Sequence, residues 1–294
     1  MGISKNYCYN TNRDDMKNII KSAMKIMYSA LITIAVLYIG LIALMTIFQR
    51  QLLYLPDKNL GTPEQYGLSG FSEEFIKTPD GISIQTWYKT AQKNMPTILY
   101  FHGNASHMGN RAGIYSALAG KGFGVMAISY RGYGKSEGAP SEQGLYTDGR
   151  AAISFLTNTK KIPLGNIIIY GESLGTGVTT QMATEYEVGA IALQAPYTSI
   201  SGRAAEIYFF LPVKLVMFDH FNSLSRISKI KSPLLILHGE LDDTIPIRHG
   251  KAIFAAANQP KEAIFFPDVG HNNFDSATIA GDVFEFAKKY GVIK

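Results

Sequence analysis

The stretch from Ile167 to Gly177 constrains the fold of this chain more than any other part of its 294 residues. Three isoleucines and a tyrosine run into Gly-Glu-Ser-Leu-Gly at 171–175, after which the pattern becomes helical. A β-branched run that ends in Gly-x-Ser-x-Gly predicts a nucleophile elbow, a sharp strand-to-helix turn that exposes the serine. The glycines are needed because backbone approaches the serine closely and leaves no space for a Cβ atom. A chance match is the alternative, and the preceding strand pattern favours the elbow.

An elbow predicts an acid and then a histidine further along the chain. The apolar run at 233–237 leads into His-Gly-Glu-Leu-Asp-Asp, so Asp242 and Asp243 both follow a predicted strand end. Another short apolar run at 264–266 leads to a loop that contains His271. An open α/β sheet collects its active-site residues at the carboxyl ends of its strands, so both positions suit catalysis. The remaining histidines occupy settings typical of loop shaping, packing or the surface.

These residue types support nucleophilic catalysis. A serine hydroxyl is a weak nucleophile until a base removes its proton, and His271 would be that base and later the general acid. An aspartate would orient the imidazole and stabilise its cation. The strand pattern at 97–101 ends in His-Gly-Asn-Ala. In proteins with a nucleophile elbow, the loop at this position donates one backbone N–H to the oxyanion. The predicted oxyanion hole therefore consists of the backbone N–H groups of Asn104 and Leu174.

Several motifs in fixed order resemble those of the α/β-hydrolase-domain serine hydrolases. They are His-Gly-Asn-Ala at 102–105, Tyr-Arg-Gly-Tyr-Gly-Lys-Ser-Glu-Gly at 130–138, Gly-Glu-Ser-Leu-Gly at 171–175, Ala-Pro-Tyr-Thr-Ser at 195–199, His-Gly-Glu-Leu-Asp-Asp at 238–243 and Gly-His-Asn-Asn at 270–273. The resemblance extends from about Leu53 to the C-terminus. It is greatest to a single-pass membrane-anchored branch with fission-yeast, animal and bacterial members.

This resemblance implies a role for each site residue. It makes Ser173 the nucleophile, His271 the base and Asp242 the acid, because the family's acid follows His-Gly-x-x. It also implies hydrolysis of acyl esters or thioesters. Members of the family include lipid hydrolases and protein depalmitoylases, so an acylated lipid and an acylated protein are both candidate substrates.

From residue 97 onward, apolar strand patterns alternate with helical patterns. Strands fit 97–101, 124–129, 166–170, 190–194, 234–237 and 263–266, and helices fit 110–119, 143–157, 174–185, 248–257 and 277–290. A β-hairpin around Pro79-Asp80-Gly81 precedes them. This order predicts an α/β-hydrolase fold over residues 71–294, with a mostly parallel sheet and helices on both faces.

Residues 197–232 interrupt the alternation and predict a short cap. Their aromatic residues would either line an acyl pocket or a lipid-facing lid, or pack a helix onto the sheet. The need to bury one helix face favours packing.

Residues 28–48 read YSALITIAVLYIGLIALMTIF and contain no charge. About 20 such residues cross a bilayer core as a helix, and neither the short apolar region nor the cleavage site of a signal peptide is evident. A buried core helix is the alternative, and the length and the charged flanks favour a membrane anchor. The basic residues Lys5, Arg13, Lys17, Lys21 and Lys25 precede it, and few basic residues follow closely. The positive-inside rule then predicts a cytoplasmic tail at 1–27, a connector at 49–70 and an extracytoplasmic or lumenal catalytic domain.

Composition narrows the function further. Most of the net charge of +5 lies before residue 28, and no basic stripe interleaved with aromatics indicates nucleic-acid binding. The single cysteine, Cys8, excludes an intramolecular disulfide framework. No metal-ligand spacing and no phosphate-binding glycine loop is present, so no cofactor is predicted. Arg131 is predicted to form a structural ion pair rather than to bind an anionic substrate.

The sequence therefore predicts a membrane-anchored serine hydrolase that cleaves acyl esters or thioesters, with the lipid bilayer as its partner. A peptidase or an acyltransferase would use the same machinery, since both also form an acyl-enzyme. A membrane-tethered scaffold would keep the fold without turnover, and the complete set of catalytic residues argues against it.

Overall fold

The computed structural model describes residues 13–294, so the first twelve residues, which include Cys8, lie outside it. The chain divides into two compact units, Met1–Gln49 and Arg50–Lys294. Helix α1 (Arg13–Leu53) is 41 residues long, has no buried residue and carries acidic side chains in its first turn, where they favour helix formation. With a hydropathy of 2.6 over its most apolar window, α1 has the length and composition to cross a membrane. It is longer than the apolar span at 28–48 because no proline interrupts the chain before Pro56.

Within Arg50–Lys294, one eight-stranded sheet forms the centre of the fold. Its strands are β1 (Ser72–Lys77), β2 (Ser83–Lys89), β3 (Thr97–Phe101), β4 (Gly124–Ile128), β5 (Ile167–Glu172), β6 (Ala190–Gln194), β7 (Leu234–Gly239) and β8 (Lys261–Phe266). They lie in the order β1-β2-β4-β3-β5-β6-β7-β8. The pairs β1–β2 and β2–β4 are antiparallel, and every later pair is parallel. The predicted α/β-hydrolase fold is confirmed.

Helices cover both faces of this sheet. They are α2 (Ala112–Gly120), α3 (Glu142–Ser154), α4 (Leu174–Glu185), α5 (Ile200–Ile207), α6 (Val213–Val216), α7 (Leu224–Ile227), α8 (Arg248–Ala256) and α9 (Ser276–Lys289). Side chains of α3, α4 and α8 join one buried apolar cluster, and those of α2 and α9 join a second. Because both faces are covered, β3, β4, β6 and β7 are buried along their whole length and their sequences are mostly apolar.

The cap segment, residues 197–232, contains the short helices α5, α6 and α7. Its aromatic residues do not all pack onto the sheet, and the packing interpretation is wrong for several of them. Phe209 is 83% exposed and Leu215 is 87% exposed, and Ile207 and Tyr208 are also exposed. Helices of eight, four and four residues are too short to bury a continuous apolar face.

Candidate active site

The elbow at Ser173 joins the end of β5 to the start of α4. Ser173 has φ 48° and ψ −113°, a conformation that costs a residue other than glycine of order 1–3 kcal/mol. A Cβ atom on Gly175 would overlap the carbonyl oxygen of Phe101, and one on Gly171 would lie 2.6 Å from the carbonyl oxygen of Gly175. Close backbone approach therefore requires both glycines, as the sequence predicts.

Three side chains from three strand ends meet at this elbow. His271, in the loop after β8, places Nε2 3.0 Å from the Oγ of Ser173. Its Nδ1 lies 2.7 Å from the Oδ2 of Asp242, which follows β7. The structure thus brings Ser173, His271 and Asp242 into one continuous hydrogen-bonded line, although 98 residues separate the serine from the histidine.

The two neighbouring aspartates differ in burial. Asp242 is 4% exposed, and its Oδ1 accepts the backbone N–H of Ile245 at 2.7 Å. Asp243 is exposed, with its Oδ1 3.4 Å from the hydroxyl of Thr244. Of these two aspartates, Asp242 is the one that contacts the imidazole of His271.

His238 is a further residue of the site that sequence reasoning treated only as a loop-shaping histidine. Its Nε2 lies 2.8 Å from the carbonyl oxygen of Ile245 and 3.5 Å from the Oδ2 of Asp242. Burial acts to raise the pKa of Asp242, but interactions with His238, His271 and the Ile245 N–H outweigh burial and hold that pKa well below its usual value. Asp242 is therefore a carboxylate at neutral pH. The sequence feature that could have indicated this contact is the position of His238, four residues before Asp242.

The predicted oxyanion loop, residues 102–107, packs directly against the elbow. A Cβ atom on Gly103 would lie 2.7 Å from the carboxylate of Glu172, and Gly175 lies against the carbonyl groups of Phe101 and His102. Leu174 is the first residue of α4, so its backbone N–H has no partner within the helix. The structure therefore places the predicted donors Asn104 and Leu174 on two segments in contact with each other.

Arg111 is a residue of this region that sequence reasoning missed. Its Nη2 donates to Glu172 Oε1 at 2.9 Å, and its Nη1 lies 3.3 Å from the carbonyl oxygen of Ala105 in the oxyanion loop. Burial acts to raise the pKa of Glu172, but the charge of Arg111 outweighs it and lowers that pKa. Arg111 thus links the loop to Glu172, the residue before the serine. No sequence spacing indicates this pair, because 61 residues separate its members.

A cleft of about 330 Å³ opens beside His271 and is lined by Arg111, Glu172, Gln194 and Asn272 among others. Within residues 13–294, no group of three or more His, Cys, Asp or Glu side chains is arranged to hold a metal ion.

The ion pair predicted for Arg131 is confirmed. Its Nη2 lies 2.8 Å from Asp148 Oδ1, and its Nη1 lies 2.8 Å from Asp80 Oδ2. These contacts tie the loop after β4 to α3 and to the β1–β2 hairpin, so Arg131 has a structural role.

Comparison with known proteins places the chain in a family. A family model described as "Serine aminopeptidase, S33" matches residues 92–217. An uncharacterized protein of Mycobacterium tuberculosis is 34% identical over 242 residues, which cover 82% of this chain and 86% of that protein. Human "Alpha/beta hydrolase domain-containing protein 17B" is 35% identical over 195 residues, which cover 66% of this chain and 65% of that protein.

Solved structures show the same fold. An esterase of Pyrococcus furiosus matches with a TM-score of 0.67 at 20% identity, over 81% of this chain and 98% of that one. An α/β hydrolase of Vibrio vulnificus matches with a TM-score of 0.65 at 23% identity, over 79% of this chain and 88% of that one. The chain belongs to the α/β-hydrolase domain family, which places it among the hydrolases.

Proposed function

We propose that the protein is a membrane-anchored serine hydrolase that cleaves acyl ester or thioester bonds through an acyl-enzyme. The observation that carries this proposal is the line of hydrogen bonds from Asp242 through His271 to Ser173 Oγ. It ends on a strained serine at the tip of an elbow. Strain at such a residue is a mark of functional sites, because a purely structural serine has no need of it.

The geometry supports a two-step reaction. His271 Nε2 takes the proton of Ser173 Oγ as this oxygen attacks the substrate carbonyl carbon, and Asp242 stabilises the resulting imidazolium. The negative charge on the carbonyl oxygen is held by the backbone N–H groups of Asn104 and Leu174. His271 then protonates the leaving alcohol or thiol, which departs and leaves an acyl-serine. Water enters by the same route, releases the carboxylic acid and restores the serine.

The apolar surface of the cap segment supports an acyl substrate that is presented at a bilayer. Phe209 and Leu215 are both more than four-fifths exposed, and the exposed ring of Phe210 lies 5.7 Å from that of Phe209. Soluble monomers rarely expose a large apolar patch without a function. We propose that this surface meets lipid or the acyl chain of the substrate, which belongs to a lipid or to an acylated protein. The anchor would be residues 28–48 of α1, with the tail in the cytoplasm and Ser173 on the extracytoplasmic or lumenal side.

A fluorophosphonate probe tests the catalytic proposal, because it reacts covalently with an activated serine and not with an ordinary one. We expect the full-length protein in membranes to be labelled and Ser173→Ala to remain unlabelled. The same preparation, assayed with p-nitrophenyl esters of graded chain length and a matched thioester, should show turnover that rises with acyl length. An unlabelled wild-type protein that is folded would support the scaffold alternative and end this proposal.

A peptidase is the second candidate, because the matching family model is described as a serine aminopeptidase. An aminopeptidase needs a carboxylate for the free amino group of its substrate. Glu172, the acidic residue that lines the cleft beside His271, is already paired with Arg111. We therefore expect aminoacyl p-nitroanilides to be poor substrates next to p-nitrophenyl acyl esters, and the reverse ranking would favour the peptidase.

Protease protection on sealed cells, or on vesicles whose outer face is the extracytoplasmic one, tests the orientation. We expect added protease to digest the domain that carries Ser173 from the extracytoplasmic side and to leave the N-terminal tail intact. Digestion of the tail with protection of the domain would show the opposite orientation, and a mature protein that begins after Phe48 would show a cleaved signal peptide.

A further inference from the structure

We propose that the segment Arg50–Asp57, here called the strap, positions one of the two donors of the oxyanion hole. It clamps the side chain of Asn104 and thereby sets the position of the Asn104 backbone N–H. The inference rests on the proposed function, because it assigns a positioning role in the same reaction. The strap lies in the connector that follows the apolar span of α1, so part of this connector would belong to the active site.

The side-chain amide of Asn104 is bound from both of its ends. Its Nδ2 donates to the backbone carbonyl oxygen of Leu53 at 2.5 Å, and its Oδ1 accepts the backbone N–H of Leu55 at 3.2 Å. The same Oδ1 accepts the hydroxyl of Tyr133 at 2.8 Å. An amide that exchanges a donor and an acceptor with two backbone groups of one segment is fixed in orientation as well as in place. The position of the strap therefore fixes the side chain of Asn104 and, through it, the backbone of Asn104.

The strap continues along the oxyanion loop beyond Asn104. Pro56 and Ser106 form a parallel β-bridge, and the N–H of Asp57 donates to the carbonyl oxygen of Ser106 at 3.0 Å. In this loop Ala105 has φ 63° and Ser106 has φ 60°, which are unfavourable for residues other than glycine. Such conformations persist only where surrounding structure holds them, and the strap supplies these contacts from outside the loop.

The strap is itself held to the cap segment. The hydroxyl of Tyr54 donates to Asp219 Oδ2 at 3.1 Å, and Arg50 Nε donates to the same oxygen at 3.0 Å. Tyr54 is 2% exposed, so its contact with Asp219 lies in the protein interior and not on the surface. The strap thus joins the cap to the oxyanion loop within one short stretch of chain.

A clamp of this kind acts on the transition state more than on substrate binding. Asn104→Ala keeps the backbone N–H that would hold the oxyanion and removes only the clamp. We expect kcat for a p-nitrophenyl ester to fall by about 10- to 100-fold, because a small misplacement of a catalytic donor has effects of that size. KM should stay within about twofold, since the lost interaction is made in the transition state.

Changes to the strap and to Tyr133 test the same clamp while Asn104 stays intact. Leu55→Pro removes the N–H that binds Asn104 Oδ1. Tyr133→Phe removes the remaining donor to Oδ1. We expect kcat to fall in both variants. The control is Asn59→Ala, an exposed change just beyond the strap, which should leave kcat unchanged.

All variants are assayed as full-length protein in membranes, with kcat, KM, the pH dependence of kcat/KM and thermal unfolding measured together. A fall in kcat with unchanged KM and an unchanged pH dependence supports the clamp, because Ser173, His271 and Asp242 are untouched. Wild-type kcat in folded Asn104→Ala overturns the inference, and so does a fall in kcat that only follows loss of folded protein. If the wild-type enzyme itself is inactive and unlabelled by the fluorophosphonate probe, the proposed function fails and the inference fails with it.

Discussion

The serine elbow and the oxyanion loop lie against each other at the carboxyl end of the sheet, and each holds residues other than glycine at positive φ. Ser173 has φ 48° in the elbow, and Ala105 and Ser106 have φ 63° and 60° in the loop. The origin of the restraint differs between them. The elbow is restrained mainly by the strand and the helix that adjoin the serine in the chain. The loop is restrained by Arg111, six residues beyond Ala105, and by the strap, whose Leu53 is 51 residues from Asn104.

The elbow is held by its immediate neighbours. Strand β5 ends one residue before Ser173 and helix α4 begins one residue after it, while Gly171 and Gly175 permit the close backbone contacts. The oxyanion loop depends instead on Arg111 and on the backbone of Leu53, which is 51 residues from Asn104. Substitutions within the elbow should therefore act directly, whereas the loop should be sensitive to changes at a distance.

The largest expected effect tests the elbow and its base. Ser173→Ala and His271→Ala should each lower kcat by about 10⁶-fold, and the double variant should be hardly worse, because the residues act as a unit. The measurement is ester turnover by purified protein, with circular dichroism to show that the fold survives. Wild-type turnover in Ser173→Ala would remove the elbow from the mechanism.

A smaller effect is expected at the acid, which reaches the elbow only through His271. Asp242→Asn should lower kcat by about 10⁴-fold, because the neutral amide no longer holds the imidazole in the productive tautomer. Asp243→Asn is the matched control, and its exposed side chain predicts nearly unchanged turnover. Steady-state kinetics of the two folded variants decide the ranking, and a larger loss in Asp243→Asn would reassign the acid.

The glycines test whether restraint in the elbow is steric. Gly175→Ala places a Cβ atom against the carbonyl oxygen of Phe101, so we expect the free energy of unfolding to fall by at least about 1–3 kcal/mol. Gly281→Ala is the control, because its Cβ would meet nothing within 4 Å in the middle of α9. That change should raise the free energy of unfolding by about 0.5–1 kcal/mol. Urea unfolding curves measure both, and equal effects would contradict a steric elbow.

A separate prediction concerns His102 at the start of the oxyanion loop, where the expected effect is on the pH dependence of stability. Burial, together with the charge of Arg111, lowers the pKa of His102 to about 3. The hydrogen bond between its Nδ1 and the carbonyl oxygen of Gly103 acts in the opposite direction. Between pH 6.5 and 3 the unfolded chain then binds a proton that the native protein does not. The free energy of unfolding should therefore fall as pH decreases below 6.5, by up to about 1.4 kcal/mol per pH unit.

Replacing this histidine should remove that part of the pH dependence. The free energy of unfolding of His102→Asn should change less between pH 6.5 and 5 than that of the wild type, as measured by urea unfolding at several pH values. An unchanged slope in His102→Asn would mean that the loop does not bury a neutral histidine.

Local sequence determined most of the sheet and the form of the elbow. The bounds predicted for β3, β6 and α4 are those that the structure shows, and Gly-x-Ser-x-Gly forms the predicted turn. Such features follow from side-chain periodicity and from steric contacts between residues a few positions apart. The chain order of Ser173, Asp242 and His271 was legible for the same reason, since each follows a recognisable strand.

Only the tertiary structure decided which distant groups complete the site. It paired Arg111 with Glu172 and placed the strap against Asn104. It also left Phe209 and Leu215 exposed, although their apolar pattern predicts burial. Each outcome depends on which segments come together when the sheet forms. A one-dimensional pattern records the preference of a residue for burial or charge, and only the folded chain assigns it a partner.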